Sequence, residues 1–288
     1  MTSIVIPAHN EAQVIGRLLD SLLADSSVDS AEEETDIVVV CNGCTDETAQ
    51  VAAARGARVR VIEIPVPSKH AALRAGDEHA RGFPRLYVDA DVVIASADVR
   101  ALAEPLNNSS GVLATAPERR LPLAACAWRV RAYYQVWQRL PAVREGLFGR
   151  GVIAVSEAGH ARIAALPPLM ADDLAASLAF APGERLVVGS AGVVVHPPRT
   201  WSDLIKRRIR AAVSTAQVES RQRQGEAPEA SARTSTADLR AILGREPRLF
   251  AAVVVFVAAA VVARRKAAKA IQAEDFGTWL RDESSRQG

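Results

Sequence analysis

Asp89-Ala90-Asp91 is the stretch of this chain most capable of chemistry. Two carboxylates separated by one residue, just past the apolar run 86–88, make a local anionic pocket. Anions so close repel unless a cation or a proton sits between them. A hard divalent ion meets that need, with phosphate oxygens filling its remaining positions. A turn capped by one aspartate, with the other in solvent, fits the same residues. Two more polar clusters have a similar setting. Pro7-Ala8-His9-Asn10-Glu11 follows the apolar run 4–6 and places Asn10 and Glu11 over a sheet edge, where they can bond a base or ribose. Helix capping by Asn10, with Glu11 in the first turn, is the alternative. Cys41-Asn42-Gly43-Cys44-Thr45-Asp46 follows the apolar run 36–40, and Asn42 and Asp46 are its candidates for meeting a ligand. Cys-x-x-Cys ahead of a helix is also a redox spacing. That use needs a thioredoxin-like domain, and the alternation here is too long and starts too early for one. A zinc site needs a second ligand pair, which the sequence does not supply.

These clusters need a scaffold, and the apolar periodicity provides one. The apolar runs at 4–6, 36–40 and 86–88 read as strands, that at 36–40 as one covered on both faces, and 58–64 reads as a further strand. Helical spacing separates them at 11–23, 45–55 (with Thr45 as its candidate cap) and 69–81. Further strands are expected at 111–116, 151–155 and 186–195, and helices at 96–106, 123–140, 172–180 and 201–217. Strands alternating with helices predict an α/β fold, a mostly parallel sheet flanked by helices. Ligands in such sheets sit beyond the carboxyl ends of the strands, where all three clusters fall. The composition turns polar at 219–235, which reads as a linker. The expected organisation is therefore a domain over 1–217, a linker or loop over 218–236 and a helical segment over 237–288.

Composition removes several classes. The 288 residues suffice for one well-cored domain and an appendage. Thirty-five basic and 33 acidic residues leave a net charge of +2, too little to argue for nucleic acid. Three cysteines do not make a disulfide scaffold. The chain opens on a strand-like run and not on a signal peptide, so a cytoplasmic location is expected.

Taken together, the ordered motifs resemble those of family 2 glycosyltransferases of the GT-A fold. Pro7, Asn10 and Glu11 match the first motif. Asn42, Gly43, Thr45 and Asp46 match the second; Lys69, Ala71, Ala72, Leu73 and Gly76 the third; Asp89 and Asp91 the fourth. The resemblance covers about residues 2 to 215. It departs at Cys41 and Cys44, at Ser68 and His70 beside Lys69, and at Arg74. It implies a nucleotide-sugar donor and a divalent metal, Mn2+ or Mg2+, with Asp91 as direct ligand. Asp89 would support sugar and ribose contacts, and Lys69 would lie near the donor's phosphates. The pair Asp172-Asp173 would hold the general base for a hydroxyl acceptor, Asp173 being the matching member; a carboxylate within hydrogen-bond reach could take the proton. The alternative is that both aspartates cap the helix over 174–180. His196 would complete the metal shell, and Arg207 and Arg210 would face the diphosphate. Ala211 stands where processive members carry Trp, which implies one sugar per event. Gly151 is expected where backbone must approach the acceptor site. Two other classes remain open: a sugar-nucleotide nucleotidyltransferase, whose usual Gly-rich phosphate loop is missing at 7–11, and a non-catalytic relative that scaffolds envelope assembly.

The run 249–263 is the last signal. Its 15 apolar residues span about 22 Å as a helix at ~1.5 Å per residue, against about 30 Å of bilayer hydrocarbon. Arg248 on one side and Arg264, Arg265 and Lys266 on the other can snorkel outward. A short span, an interfacial helix and a helix buried against protein are all compatible with it; attachment to the inner face of the cytoplasmic membrane and a lipid-linked acceptor would suit the first two.

Overall fold

The computed structural model describes residues 1–24, 35–108, 111–166, 172–223, 234–272 and 284–285. They divide into two compact units. The first holds residues 1–120, 147–168 and 180–195 and contains the sheet. Its strands are β1 (Thr2–Ala8), β2 (Thr35–Asn42), β3 (Val59–Ile64), β4 (Arg85–Val88), β5 (Val92–Val93), β6 (Ala114–Arg120), β7 (Val152–Val155) and β8 (Arg185–Val195). They run in the order β3-β2-β1-β4-β7-β6-β8-β5. The first four strands are parallel, as alternation predicts. β7 enters antiparallel between β4 and β6, and β5 pairs antiparallel with β8, so the sheet is mixed. Ile4, Val5, Ile6, Val38, Val39 and Val40 are almost wholly buried, the two-sided cover that their unbroken apolar runs call for.

The strand order has a geometric consequence. β4 and β5 lie four places apart, yet only Asp89-Ala90-Asp91 joins them. Four strand spacings of a flat sheet would be about 19 Å, and a chain that short reaches at most about 14 Å. The sheet must therefore curl, bringing its far edge back round the aspartate turn.

Helices α1 (Ile15–Leu23), α2 (Thr48–Ala53), α3 (Lys69–His79), α4 (Ser96–Asn108) and α7 (Glu157–Ala164) complete this unit. α1 buries Ile15, Leu18, Leu19 and Leu22 along one face. α3 lies close against β1 because residue 76 is glycine: a Cβ there would come within 2.2 Å of the Val5 side chain. Local expectations are corrected at several points. β1 runs past Pro7 to Ala8, opposite Cys41; β4 flanks β1 only at Ser3–Val5, so the proline lies where one neighbour has ended. α1 starts at Ile15 and not at residue 11, and α2 starts at Thr48, with Glu47 and not Thr45 before it.

The second unit holds residues 121–146, 169–179 and 196–288 and is helical. It comprises α5 (Trp128–Trp137), α6 (Pro141–Glu145), α8 (Asp172–Leu178), α9 (Trp201–Arg223), α10 (Thr236–Arg245) and α11 (Phe250–Gln272). The helical stretch expected over 123–140 is shorter, Trp128–Trp137, and Pro141 opens a new helix after it. α9 continues six residues into the segment read as a linker, and 224–233 lie outside the described residues. α11 packs on α5 and α9, so the helical unit draws on residues 121–146 as well as on those after His196.

Candidate functional site

The loops at the carboxyl ends of β1 and β2 are laced into one body. The Asn42 side-chain amide donates to the Ala8 carbonyl at 2.9 Å, and the His9 ring Nδ1 meets the Asn42 carbonyl at 2.6 Å. Asn10 has φ +53°, a left-handed conformation that asparagine tolerates. Its Oδ1 accepts from the Thr45 N–H at 2.8 Å. The Glu11 N–H donates to the Thr48 hydroxyl at 2.9 Å. That hydroxyl donates in turn to Asp46, whose carboxylate also accepts from the backbone N–H groups of Thr48 and Ala12, each at 3.1 Å. Burial works to raise the Asp46 carboxyl, but these hydrogen bonds outweigh it and hold it below the usual carboxylate range. Asn10 thus bridges two loops instead of capping α1, and Asp46 bridges the same two loops. Asn42 is buried within the lacing. Thr48, which sequence reasoning passed over, is the hub; its signal was the spacing Asp46-x-Thr48 ahead of a helix.

Asp89 opens a tight turn at the end of β4. Its carbonyl accepts from the Val92 N–H, and its own N–H donates to the Gly151 carbonyl at 2.8 Å. Ala90 is buried, and the two aspartates either side are partly exposed. Gly151 has φ +66°, and a Cβ on it would stand 2.4 Å from Val92 and 3.4 Å from the Asp89 carboxylate. The backbone approaches closely here, and the neighbour it meets is the aspartate turn. Arg150, between Gly149 and Gly151, is the large buried cation that sequence reasoning missed. Its guanidinium donates to the Pro117 carbonyl at 2.7 Å and lies 3.7 Å from Glu118. Burial pushes it down to about 10, against the opposing pull of Glu118. Its acceptor lies where the register between β6 and β8 shifts, at Pro117/Glu118.

Lys69 reaches this turn from the first position of α3. Ser68 caps that helix, its hydroxyl accepting from the Ala71 N–H at 3.2 Å. The Lys69 ammonium then lies 2.8 Å from the Asp89 carboxylate, with both side chains about two-fifths exposed. Two motifs 20 residues apart thereby meet as an ion pair at the carboxyl edge of the sheet.

The remaining candidates belong to the helical unit. Asp173 is exposed in the first turn of α8, and its carboxylate accepts from the Leu174 N–H at 2.8 Å. Asp172 opens the same helix; Met170 and Ala171, which precede it, lie outside the described residues. His196 is half-buried, and its carbonyl accepts from Arg207 at 3.5 Å. Arg207 and Arg210 lie on α9, both partly buried.

The aspartates offer hard oxygen donors, which suit Mn2+ or Mg2+. Among the described residues no group of three or more His, Cys, Asp or Glu stands together. Few protein ligands, with substrate oxygens supplying the rest, is the pattern of a cation that arrives with phosphate. The redox alternative at Cys41 and Cys44 loses its chemistry: burial, reinforced by Cys44, pushes the Cys41 thiol up to about 12, far from a reactive thiolate.

Residues 3–155 match glycosyl transferase family 2, more than half of the chain. The chain belongs to that family. The matched region takes in the laced loops, Lys69, the aspartate turn and Gly151, and stops before Asp173, His196, Arg207 and Arg210. Among characterised family relatives, the chain is 28% identical over 123 residues to an undecaprenyl-phosphate 4-deoxy-4-formamido-L-arabinose transferase of Edwardsiella ictaluri. That alignment covers 41% of this chain and 37% of the relative. It is 35% identical over 99 residues to a glucosyl-3-phosphoglycerate synthase of Mycolicibacterium paratuberculosis, covering 32% of this chain and 28% of the relative. The chain thus spans about a third of the length of these curated relatives. A mannosyltransferase from Pyrobaculum calidifontis, solved with GDP-Man and Mn2+, shares the fold: TM-score 0.59, 21% identity, 99% of this chain and 84% of that one.

Proposed function

We propose that this family 2 chain transfers a sugar from a nucleotide-sugar donor to an acceptor hydroxyl. The observation that carries the reading is the Lys69–Asp89 pair beside Asp91, at the sheet edge where α/β folds bind nucleotides. In it, Asn10 and Glu11 with Asn42 and Asp46 form the wall for base and ribose, with Pro7 fixing where that wall begins. Lys69, Arg207 and Arg210 stabilise the leaving diphosphate by charge-assisted hydrogen bonds. Asp91, with Asp89 and His196, would hold the divalent metal, Mn2+ or Mg2+, which when bound supplies a Lewis acid for the leaving group. Asp173, with Asp172 beside it, takes the proton from the acceptor hydroxyl as that oxygen attacks the anomeric carbon. The reaction is inverting and adds one sugar per event.

Relatives named for undecaprenyl-phosphate and for phosphoglycerate transfer support either a lipid-linked or a small soluble acceptor. The helix over Pro247–Lys269 is long and apolar enough to cross a membrane, which supports contact with a membrane through 249–263 and the lipid-linked choice.

The test is a panel of nucleotide sugars scored by thermal shift with and without Mn2+. A metal-dependent rise in Tm for one donor is expected, followed by release of its nucleoside diphosphate on turnover. No donor stabilising the chain in the presence of Mn2+, or release of pyrophosphate from a nucleoside triphosphate, would overturn the reading.

A further inference from the structure

α11 is apolar on two opposite faces, and only one of them is used. The inner face consists of Leu249 ahead of the helix and Ala252, Val253, Phe256, Ala259, Ala263 and Ala267 along it, all buried. It packs on α5 and α9, with the Phe256 ring stacked on Tyr133 at 5.1 Å. The outer face repeats at the same helical spacing, three and four residues apart. Phe250 is 65% exposed and Val254 54%, and Val257 and Val261 continue the row. A helix with one face in a protein core ordinarily turns charge to the other. A continuous exposed apolar row is the mark of an interaction surface.

The surroundings of the row say what it fits. Arg264, Arg265, Lys266 and Lys269 follow it, all exposed, and Arg245 and Arg248 precede it, also exposed. Glu246 stands between the two leading arginines and pairs with Arg248 at 3.1 Å and with Arg139, so both ends of the apolar row carry a basic excess, the larger one at 264–269. Two copies pairing through this row, parallel or antiparallel, would bring cationic ends together, which is unfavourable. An anionic bilayer surface satisfies both features at once: apolar side chains enter the acyl boundary while the basic ends meet phosphate headgroups. Crossing the bilayer is a different matter. α5 and α9, which hold the inner face, carry Arg129, Arg131, Lys206, Arg207, Arg208 and Arg210. The Arg208 guanidinium lies 5.8 Å from the Tyr133 ring that stacks on Phe256, close to the middle of the apolar run. A span would carry this cationic packing into hydrocarbon, where charge is strongly disfavoured.

We infer that α11 lies in the plane of an anionic membrane surface, with Phe250, Val254, Val257 and Val261 inserted and the flanking arginines and lysines on the headgroups. This deepens the membrane contact in the reading above and does not depend on sugar transfer. The experiment is co-sedimentation of the full chain with vesicles of phosphatidylcholine alone and of phosphatidylcholine with phosphatidylglycerol. Binding to the anionic vesicles, and release from them by alkaline carbonate, is expected. Arg264→Glu with Arg265→Glu lowers partitioning by more than about fivefold for each site, since each basic residue near the surface contributes roughly that factor. Val254→Glu with Val261→Glu abolishes binding, and circular dichroism of both double variants stays unchanged because all four side chains are exposed. Resistance to carbonate extraction overturns the in-plane orientation. A concentration-dependent dimer by light scattering, without vesicle binding, overturns the lipid partner in favour of a second copy. Metal-dependent donor stabilisation is scored separately on the same protein, so the failure of either reading leaves the other legible.

Discussion

Replacing Lys69 with methionine tests the Lys69–Asp89 pair by a change of sign. The ammonium and the carboxylate are 2.8 Å apart, and their side chains are 41% and 40% exposed. At that distance the bare attraction is about 1.5 kcal/mol in water and about 6 kcal/mol at an effective dielectric of 20. With solvent on two-fifths of each group, screening and side-chain entropy reduce the net value to about 1 kcal/mol. In the donor-free chain Lys69 therefore acts as a resident cation for Asp89, and a metal binding there must displace or tolerate it. Lys69→Met removes that competitor, so Mn2+ should bind the nucleotide-free chain about fivefold more tightly, the factor equivalent to 1 kcal/mol. The nucleoside diphosphate should respond in the opposite direction. A lost charge-assisted hydrogen bond costs about 1.5–3 kcal/mol, a ten- to hundredfold weaker affinity. Free Mn2+ measured by electron paramagnetic resonance, and calorimetric titration of GDP and UDP, read the two quantities on one protein. If Lys69→Met weakens Mn2+ binding, or leaves the preferred diphosphate unchanged, the double role of Lys69 is wrong.

Four further outcomes are expected. Gly151→Ala places a methyl group 2.4 Å from Val92 in a left-handed conformation; a loss of about 2 kcal/mol or more, read by urea unfolding, should accompany weaker Mn2+ binding at the adjoining Asp89, and an unchanged midpoint would refute the close approach. Asp46→Asn turns an amide towards the Ala12 N–H and should cost about 1–2 kcal/mol; because the wild-type carboxyl is held low, its contribution is present above the ordinary carboxylate pKa and is lost as pH falls through the folded value, a slope the variant lacks. Burial, aided by Arg85 and opposed by Asp77 and Glu157, holds His160 below its ordinary value; the folded state thus prefers the neutral ring, and stability should fall as pH drops below about 6.5, less steeply in His160→Gln. The Tyr133 hydroxyl is buried with no hydrogen-bond partner among the described residues, and burial pushes it up to about 12; Tyr133→Phe should leave stability unchanged or raise it by up to about 1–2 kcal/mol, and a clear loss would reveal a partner.

The parts of this chain legible in sequence are those where one physical signal dominates. Buried parallel strands show as unbroken apolar runs, and 36–40 became the core of β2 because covered faces tolerate nothing else. β5 was invisible for the same reason: at two residues, Val92–Val93 has no periodicity to read, and only its pairing with Val194 and Val195 defines it. The helix at 123–140 was overread at both ends: the observed helix begins only at Trp128 and ends at Trp137, ahead of the new helix that Pro141 opens. The site shows the same division. That Asp89 and Lys69 belong together was accessible only from the order of the motifs; their contact depends on Ser68 capping α3 and on Gly76 letting the helix settle on β1. The side chains of Asn10, Asn42 and Asp46 could be named as polar and loop-borne, but whether they face a ligand or one another depends on tertiary placement. Each bonds to the facing loop: Asn10 to the Thr45 N–H, Asn42 to the Ala8 carbonyl and Asp46 to the Ala12 N–H.

That last result changes what these residues can contribute. A wall made of independent polar side chains would have to order itself around each donor and lose affinity in doing so. Here the hydrogen bonds linking Ala8–Ala12 with Asn42–Thr48 already fix both loops. The aspartate turn is likewise held from behind, by the Gly151 carbonyl on the Asp89 N–H and by a sheet that curls because three residues join strands four places apart. Among the long groups left to adjust on binding is Lys69, which in the donor-free chain pairs with the Asp89 carboxylate. Coupling of donor and metal affinity through the Lys69–Asp89 pair is therefore expected, and the opposed effects expected of Lys69→Met follow from an exchangeable cation on a fixed frame.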